Sequence, residues 1–261
     1  MKLGMSSAAY YGDMETEDAA ACLAELPLDT CEIFLETYSE YTVEFARIVR
    51  EKLGMLPCAS VHPKGTQFEA DLFGRSPRQR KEAMNVFRNV CRAAQVLGAS
   101  YYIFHGPGVV RGRLHPNQIH AGKETVRELW ETARENNVEL LWENVSWRTL
   151  QNTEDVDIVL EEYPYVRFVL DTKQAHQSGA DLMDMARHMG SHLAHVHVLG
   201  WNQDGKLALP GMDCVPWQDF GSALEEIGFD GSVILEPYGG MCRNVYNVLE
   251  SLETLRRTVV K

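Results

Sequence analysis

Short apolar runs alternate with longer amphipathic stretches along the whole chain. The runs read as strands, eight in all: KLGMSS, CEIFLE, CASVH, SYYIFH, VELLWE, VRFVLD, LAHVHV and SVILE. Between them lie segments with helical spacing, clearest from Ser76 to Gly98, where Ala83, Phe87, Val90, Ala94 and Leu97 recur on one face. Ser76 is placed to cap that helix, Pro77 suits its first position, and Gly98 can adopt the left-handed conformation that ends it. The faintest helical unit is the first, near Thr16 to Leu26. Strands alternating with helices imply a parallel sheet. Eight units of about 30 residues each match a closed (β/α)8 TIM barrel better than an open doubly wound sheet. No linker, low-complexity tract or short-period repeat interrupts the pattern, so residues 1–261 are expected to form one α/β barrel domain. Two connections are longer than such a barrel requires, Gly106 to Asn117 and Gly200 to Val215, and long loops on the downstream face of a barrel usually carry function.

Composition narrows the partners more than the fold. With 261 residues, 45% of them hydrophobic, the chain can bury either one barrel or two small domains, and only the periodicity decides between them. A formal net charge of -12 makes the average surface repel polyanions, which argues against nucleic acid and favours a small polar substrate. The six cysteines (Cys22, Cys31, Cys58, Cys91, Cys214, Cys242) form no C-x-x-C pair, so neither a zinc knuckle nor a disulfide framework is expected. Met1 to Gly12 lacks a basic start with an apolar core, and no run approaches the roughly 18 apolar residues of a membrane span. The expectation is a cytoplasmic protein without a membrane partner. The outer helices of such barrels often pack into dimers or tetramers, so a homo-oligomer stays open, although no interface signal stands out.

The chemistry lies where the strands end. His62, His105, Glu143, Asp171, His197 and Glu236 each sit at the downstream end of a strand-like run, once per strand, in SVHP, YIFHGP, LLWENV, FVLDTK, HVHVLG and VILEP. Only the strand ends converge at the mouth of a parallel barrel, so ligands delivered in this way can meet there. Two carboxylates about 4 Å apart repel by on the order of 4 kcal/mol at an effective dielectric near 20, a conflict that a divalent cation resolves. Glu143, Asp171, His197 and Glu236 would hold one such ion. Three hard oxygens and one nitrogen suit Mn²⁺ or Zn²⁺, with Mg²⁺ and Co²⁺ also compatible. His195, two positions before His197, shares its face and would support it from below or simply be buried. Each residue also has a plainer reading: Asp171 as the N-cap of a following helix, Glu143-Asn144 as a loop start, His62 or His105 as a hydrogen-bonded structural histidine. The joint pattern outweighs these, because independent capping roles would not place only ligand-type residues at the ends of strands three to eight.

With these residues in hand, the chain resembles the xylose-isomerase-like barrel superfamily over nearly its whole length. That superfamily holds sugar and sugar-phosphate isomerases and epimerases as well as the endonuclease IV type of apurinic endonuclease. The motifs are Trp142-Glu143-Asn144, Leu170-Asp171-Thr172 with Gly179, His195-Val196-His197, Leu209-Pro210-Gly211 before Trp217, and Leu235-Glu236-Pro237. The resemblance implies one divalent metal on Glu143, Asp171, His197 and Glu236, with His62 and His105 lining the pocket for substrate or a second ion. There are departures. Where the pattern commonly has a histidine three positions after the strand-six aspartate, this chain has Gln174, an amide that can bond a hydroxyl but ligates metal poorly. Full likeness to endonuclease IV would imply three zinc ions and an Asp-x-His pair after strand seven, but Trp201 to Lys206 contains no histidine.

The expected activity is therefore a metal-dependent isomerase or epimerase acting on a sugar, sugar phosphate or related keto-polyol through a metal-stabilised enediolate. Glu143 and Glu236 would be its two acid–base groups, one removing a proton and the other returning it. His62, His105, Gln174 and Lys173 would bind the carbohydrate. For a phosphorylated substrate, Gly239, Gly240 and Arg243 offer an anion site ahead of the last helix, unless the glycines only turn the chain and Arg243 pairs with a surface carboxylate. A keto-polyol dehydratase using the same ion is the nearest alternative. An abasic-site nuclease ranks below it, and a sugar-binding barrel without turnover is a fourth class.

Overall fold

The computed structural model describes residues 1–108, 122–238 and 240–260. In chain order the elements are β1 (Lys2–Ser6), α1 (Thr16–Ala24), β2 (Thr30–Leu35), α2 (Val43–Leu53), β3 (Cys58–Pro63), the short α3 (Glu69–Leu72), α4 (Pro77–Leu97), β4 (Tyr101–Phe104) and α5 (Lys123–Glu135). Then come β5 (Glu139–Glu143), α6 (Thr153–Glu162), β6 (Arg167–Asp171), α7 (Thr172–Ser178), α8 (Leu182–Met189), β7 (Leu193–Val198), the small strands β8 (Gly200–Trp201) and β9 (Leu207–Ala208), α9 (Trp217–Glu226), β10 (Ser232–Leu235) and α10 (Val245–Thr258). Eight of the strands close into a barrel in the order β1-β10-β7-β6-β5-β4-β3-β2, and every pairing is parallel. This is the (β/α)8 architecture expected from the alternation of runs.

The helices form where the pattern places them. Ala83, Phe87, Val90, Ala94 and Leu97 are all buried on α4, Ser76 Oγ accepts from the Gln79 amide at 3.4 Å, and Gly98 ends the helix at φ 73°. Even the faint first unit folds as α1, burying Ala19, Ala20 and Leu23. Most of the core lies between the strands and the surrounding helices. A smaller cluster, Ile103, Leu141, Val169 and Ala194, fills the barrel interior. Above that apolar floor the inward residues become polar, which is where the site begins.

Of the two long connections, the one after β7 carries the β8–β9 hairpin, pinned by Asp213, whose Oδ2 accepts from Trp217 Nε1 at 2.8 Å. The stretch from Gly106 to Asn117 lies for the most part outside the described residues, as does Gly239. Among the described residues, no helix is long and apolar enough to cross a membrane.

Candidate metal centre and active site

Strand register brings the predicted ligands to one level. Asp171 pairs with His197 across β6 and β7, His197 pairs with Ile234 across β7 and β10, and the Glu236 amide just beyond β10 donates to Val198 O at 3.1 Å. Glu143 closes β5 on the far side of β6. As a result Glu143, Asp171, His197 and Glu236 each offer a ligand atom, all within 4.8 Å of one another, and all four are buried. His62 and His105 stand beside them, their Nε2 atoms 2.9 Å apart.

The plainer reading of Asp171 and its place in the cluster both hold. Its Oδ1 accepts from the Gln174 amide at 2.8 Å and caps α7, while its Oδ2 faces Lys173 Nζ at 3.4 Å within the cluster. One carboxylate does two jobs, and the cap fixes the direction of the free oxygen.

The electrostatics are those of buried acids competing for too little positive charge. Burial pushes the Asp171 carboxyl up to about 6, with Lys173 opposing and Glu143 and Glu236 adding to the rise. Burial would also raise Glu236, but Lys173 and the charged imidazoles of His197 and His62 overcome it and hold the group well below the usual carboxylate range. Burial works against a charged His62, yet the surrounding Glu236, Glu32 and Glu143 carboxylates push it up to about 10. His197 is raised for the same reason, lying between Glu143 Oε1 at 2.8 Å and Glu32 Oε2 at 2.9 Å.

Those residues fit a divalent cation. With Nε2–H donating to Glu32, His197 turns Nδ1 toward Glu143 and Glu236, and a cation would take the place of the proton that Nδ1 otherwise has to hold. His62 Nδ1 is buried without a hydrogen-bond partner among the described residues, 3.5 Å from both Glu32 Oε1 and Glu236 Oε1. Three carboxylates with one imidazole make a mostly hard donor set, in keeping with a 2+ ion of the Mn²⁺ or Zn²⁺ kind.

Two further acids reach this centre. Glu32, wholly buried in the middle of β2, accepts from His197 Nε2 and from Ser60 Oγ at 2.7 Å. Ser60 in turn lies 3.2 Å from His195 Nε2, so His195 supports the site through Ser60 and Glu32. Burial lowers the His195 pKa and favours its neutral form. Glu69, on α3, accepts from His105 Nδ1 at 2.9 Å. Because Glu32 sets the tautomer of His197, Glu32→Gln is expected to weaken divalent-ion affinity by about 10- to 100-fold with the fold retained. Isothermal titration with Mn²⁺ measures this, and an unchanged affinity would remove Glu32 from the role.

A cavity of about 250 Å³ opens onto the cluster, lined by His62, His105, Glu143, Asp171, Lys173, Gln174 and Glu236, with Phe34, Val145 and Trp147 as its apolar walls. Lys173 is buried there, its Nζ 2.7 Å from Tyr238 OH. Gln174 Oε1 accepts from the amide and hydroxyl of Ser146, at 3.0 and 2.8 Å. Arg243 does not line the cavity. Its side chain is exposed and lies 3.3 Å from Asp13, and Gly240 sits at φ 77°, so Arg243 forms a surface ion pair and Gly240 turns the chain. Of the tryptophans, Trp142 is core, Trp147 is half-exposed at the cavity rim, and Trp201 stacks on His176 with ring centroids 3.9 Å apart.

Known proteins resemble this chain in sequence and in fold. The D-psicose 3-epimerase of Enterocloster bolteae is 26% identical over 212 residues, spanning 77% of this chain and 68% of that protein. The D-psicose 3-epimerase of Ruminiclostridium cellulolyticum is 26% identical over 186 residues, spanning 67% of this chain and 61% of that protein. Among solved structures, a D-psicose 3-epimerase determined in the presence of D-fructose matches with a TM-score of 0.81 at 16% identity, over 100% of both chains. The IOLI protein with a bound zinc atom matches with a TM-score of 0.75 at 20% identity, over 100% of this chain and 97% of that one. At such identities the structural matches speak for the fold. The family described as "Xylose isomerase-like TIM barrel" matches residues 20–258, nearly the full length, and the chain belongs to that family.

Proposed function

We propose that the chain, as a single barrel domain, is a divalent-metal-dependent epimerase or isomerase of a small carbohydrate, with a ketose as its substrate. The observation that carries this reading is the buried quartet of Glu143, Asp171, His197 and Glu236 beside a cavity of sugar size. The curated relatives are named D-psicose 3-epimerases, which supports epimerisation beside the carbonyl of a ketohexose. The zinc atom in the IOLI structure supports the metal, and Mn²⁺ is equally suited to the donors.

Glu143, Asp171, His197 and Glu236 would hold the ion. When bound, it would polarise the substrate carbonyl and offset the negative charge that develops on its oxygen. The protein does the rest. Glu143 and Glu236 come from strands separated by β6 and β7, so they reach a bound sugar from different sides. One takes the proton from the carbon beside the carbonyl, and the other returns a proton to the opposite face. Asp171, capped onto α7, serves as a fixed ligand. His62, His105 and the amide of Gln174 bind hydroxyls, Lys173 keeps charge balance beside Glu236, and Phe34, Val145 and Trp147 exclude water from the reacting face.

The test is to incubate the Mn²⁺-supplemented protein in D₂O with D-fructose, D-psicose, D-tagatose and a set of sugar phosphates. The expected product is the epimer or isomer carrying one deuterium at the reacting carbon. A product short of one water would identify the dehydratase instead, and neither interconversion nor deuterium uptake on the whole set would refute the proposal.

A further inference from the structure

His105 enters the cavity from the end of β4, but its orientation is decided elsewhere. Its Nδ1–H donates to Glu69 Oε2 at 2.9 Å, so its Nε2 faces the cavity, 2.9 Å from His62 Nε2 and 3.4 Å from Glu143 Oε2. Glu69 begins α3, in the connection between β3 and α4, yet it is wholly buried and, among the described residues, its Oε1 has no hydrogen-bond partner. A buried acid with an unpaired oxygen is costly, so stability alone does not explain it. The surroundings are shaped around the carboxylate. Gly65 packs so closely that a Cβ there would run into the Glu69 carboxylate. The buried Arg148 guanidinium, 4.6 Å from the centre of the Trp147 ring, feels the Glu69 charge.

We propose that Glu69 is a positioning residue for substrate recognition. It holds His105 in the Nδ1–H tautomer, which leaves Nε2 an acceptor on the cavity side; His62 Nε2–H occupies that lone pair at 2.9 Å, and a hydroxyl of the bound polyol would take its place as donor. The proposal rests on the carbohydrate reading for the identity of the ligand, while the geometry of Glu69 and His105 stands without it.

The experiment has a substrate-free arm and a kinetic arm, both on the Zn²⁺-loaded full chain. In the first, ring ¹⁵N spectra of labelled histidine should report the Nδ1–H tautomer for His105 in the wild type and in Glu69→Gln, whose amide oxygen still accepts. In Glu69→Ala and in Gly65→Ala, which displaces the carboxylate without removing it, that tautomer should be lost. In the second, both alanine variants should raise KM for the ketose about tenfold, while kcat changes by less than about twofold, and Glu69→Gln should restore most of the affinity. Wild-type spectra in the alanine variants would overturn the proposal, as would a fall in kcat and melting temperature with KM unmoved. If the wild type turns over no ketose, the proposed function fails, but the spectra still decide the role of Glu69. Gly65→Ala keeps the test alive should Glu69→Ala fail to fold.

Discussion

Glu236→Gln is expected to stop epimerisation, lowering kcat by about 10²- to 10⁴-fold, while leaving the barrel folded. Gln matches Glu in shape, so the change removes the capacity to take a proton and little of the volume. Glu236 is buried, and its carboxylate lies 3.5 Å from Lys173 Nζ and from His62 Nδ1. The amide keeps an oxygen for these neighbours but cannot act as a base at neutral pH. Because Glu236 also belongs to the proposed ligand quartet, lost metal has to be separated from lost base, and metal content measured alongside turnover does so. The two-base scheme adds a sharper signature. With Glu236 disabled, Glu143 can still wash the proton out of the one epimer that presents it on that side, so exchange with D₂O persists for that epimer while interconversion stops. Glu143→Gln should show the mirror behaviour with the other epimer. A metal-loaded Glu236→Gln protein that still interconverts both epimers at the wild-type rate would end the two-base scheme.

The fold was legible because a parallel barrel writes itself twice into a sequence, once as alternating strand and helix periods and once as polar residues at the strand ends. The clustering of the four candidate ligands followed from the second pattern, since the strand end is the one place where an inward acid meets the mouth instead of the apolar floor. Glu32 escaped this reading because it lies inside the run CEIFLE, one layer below the mouth. The available signal was an acid within an otherwise apolar strand, which pays its desolvation cost only beside partners such as His197 and Ser60. Glu69 escaped for a different reason. In the stretch FEADLF its acids look like the first turn of a solvated helix, and only the tertiary fold turns one of them inward to meet His105. Arg243 shows the reverse error, a residue of the right charge near the right strand end whose side chain turns out to Asp13. Strand ends fix the position of a side chain well, whereas loops leave its direction to packing that no local pattern records.

A saturating divalent ion should raise the melting temperature of the metal-stripped protein by about 5–10 °C, from roughly 2.7 kcal/mol at an ion concentration a hundred times Kd and about 2–4 °C per kcal/mol in a chain of this size. The physical source is the buried acid cluster. Glu143, Asp171 and Glu236 lie within one ion's reach, and among the described residues their charge is met, without a metal, by Lys173 and by histidines held in the charged form. Those substitutes are imperfect: Asp171 is pushed up to about 6, and His62 Nδ1 is left without a hydrogen bond. A 2+ ion would meet all three carboxylates at once, and His197 would then serve as a neutral ligand. Scanning calorimetry of the protein after chelation, with and without Mn²⁺ or Zn²⁺, measures the shift. His197→Ala and Asp171→Asn should each cut it by more than half, because they remove a ligand and leave the cavity otherwise intact. Equal melting temperatures with and without ions would mean that the four side chains form a salt-bridged core and hold no metal, and a shift that survives both substitutions would place the ion elsewhere.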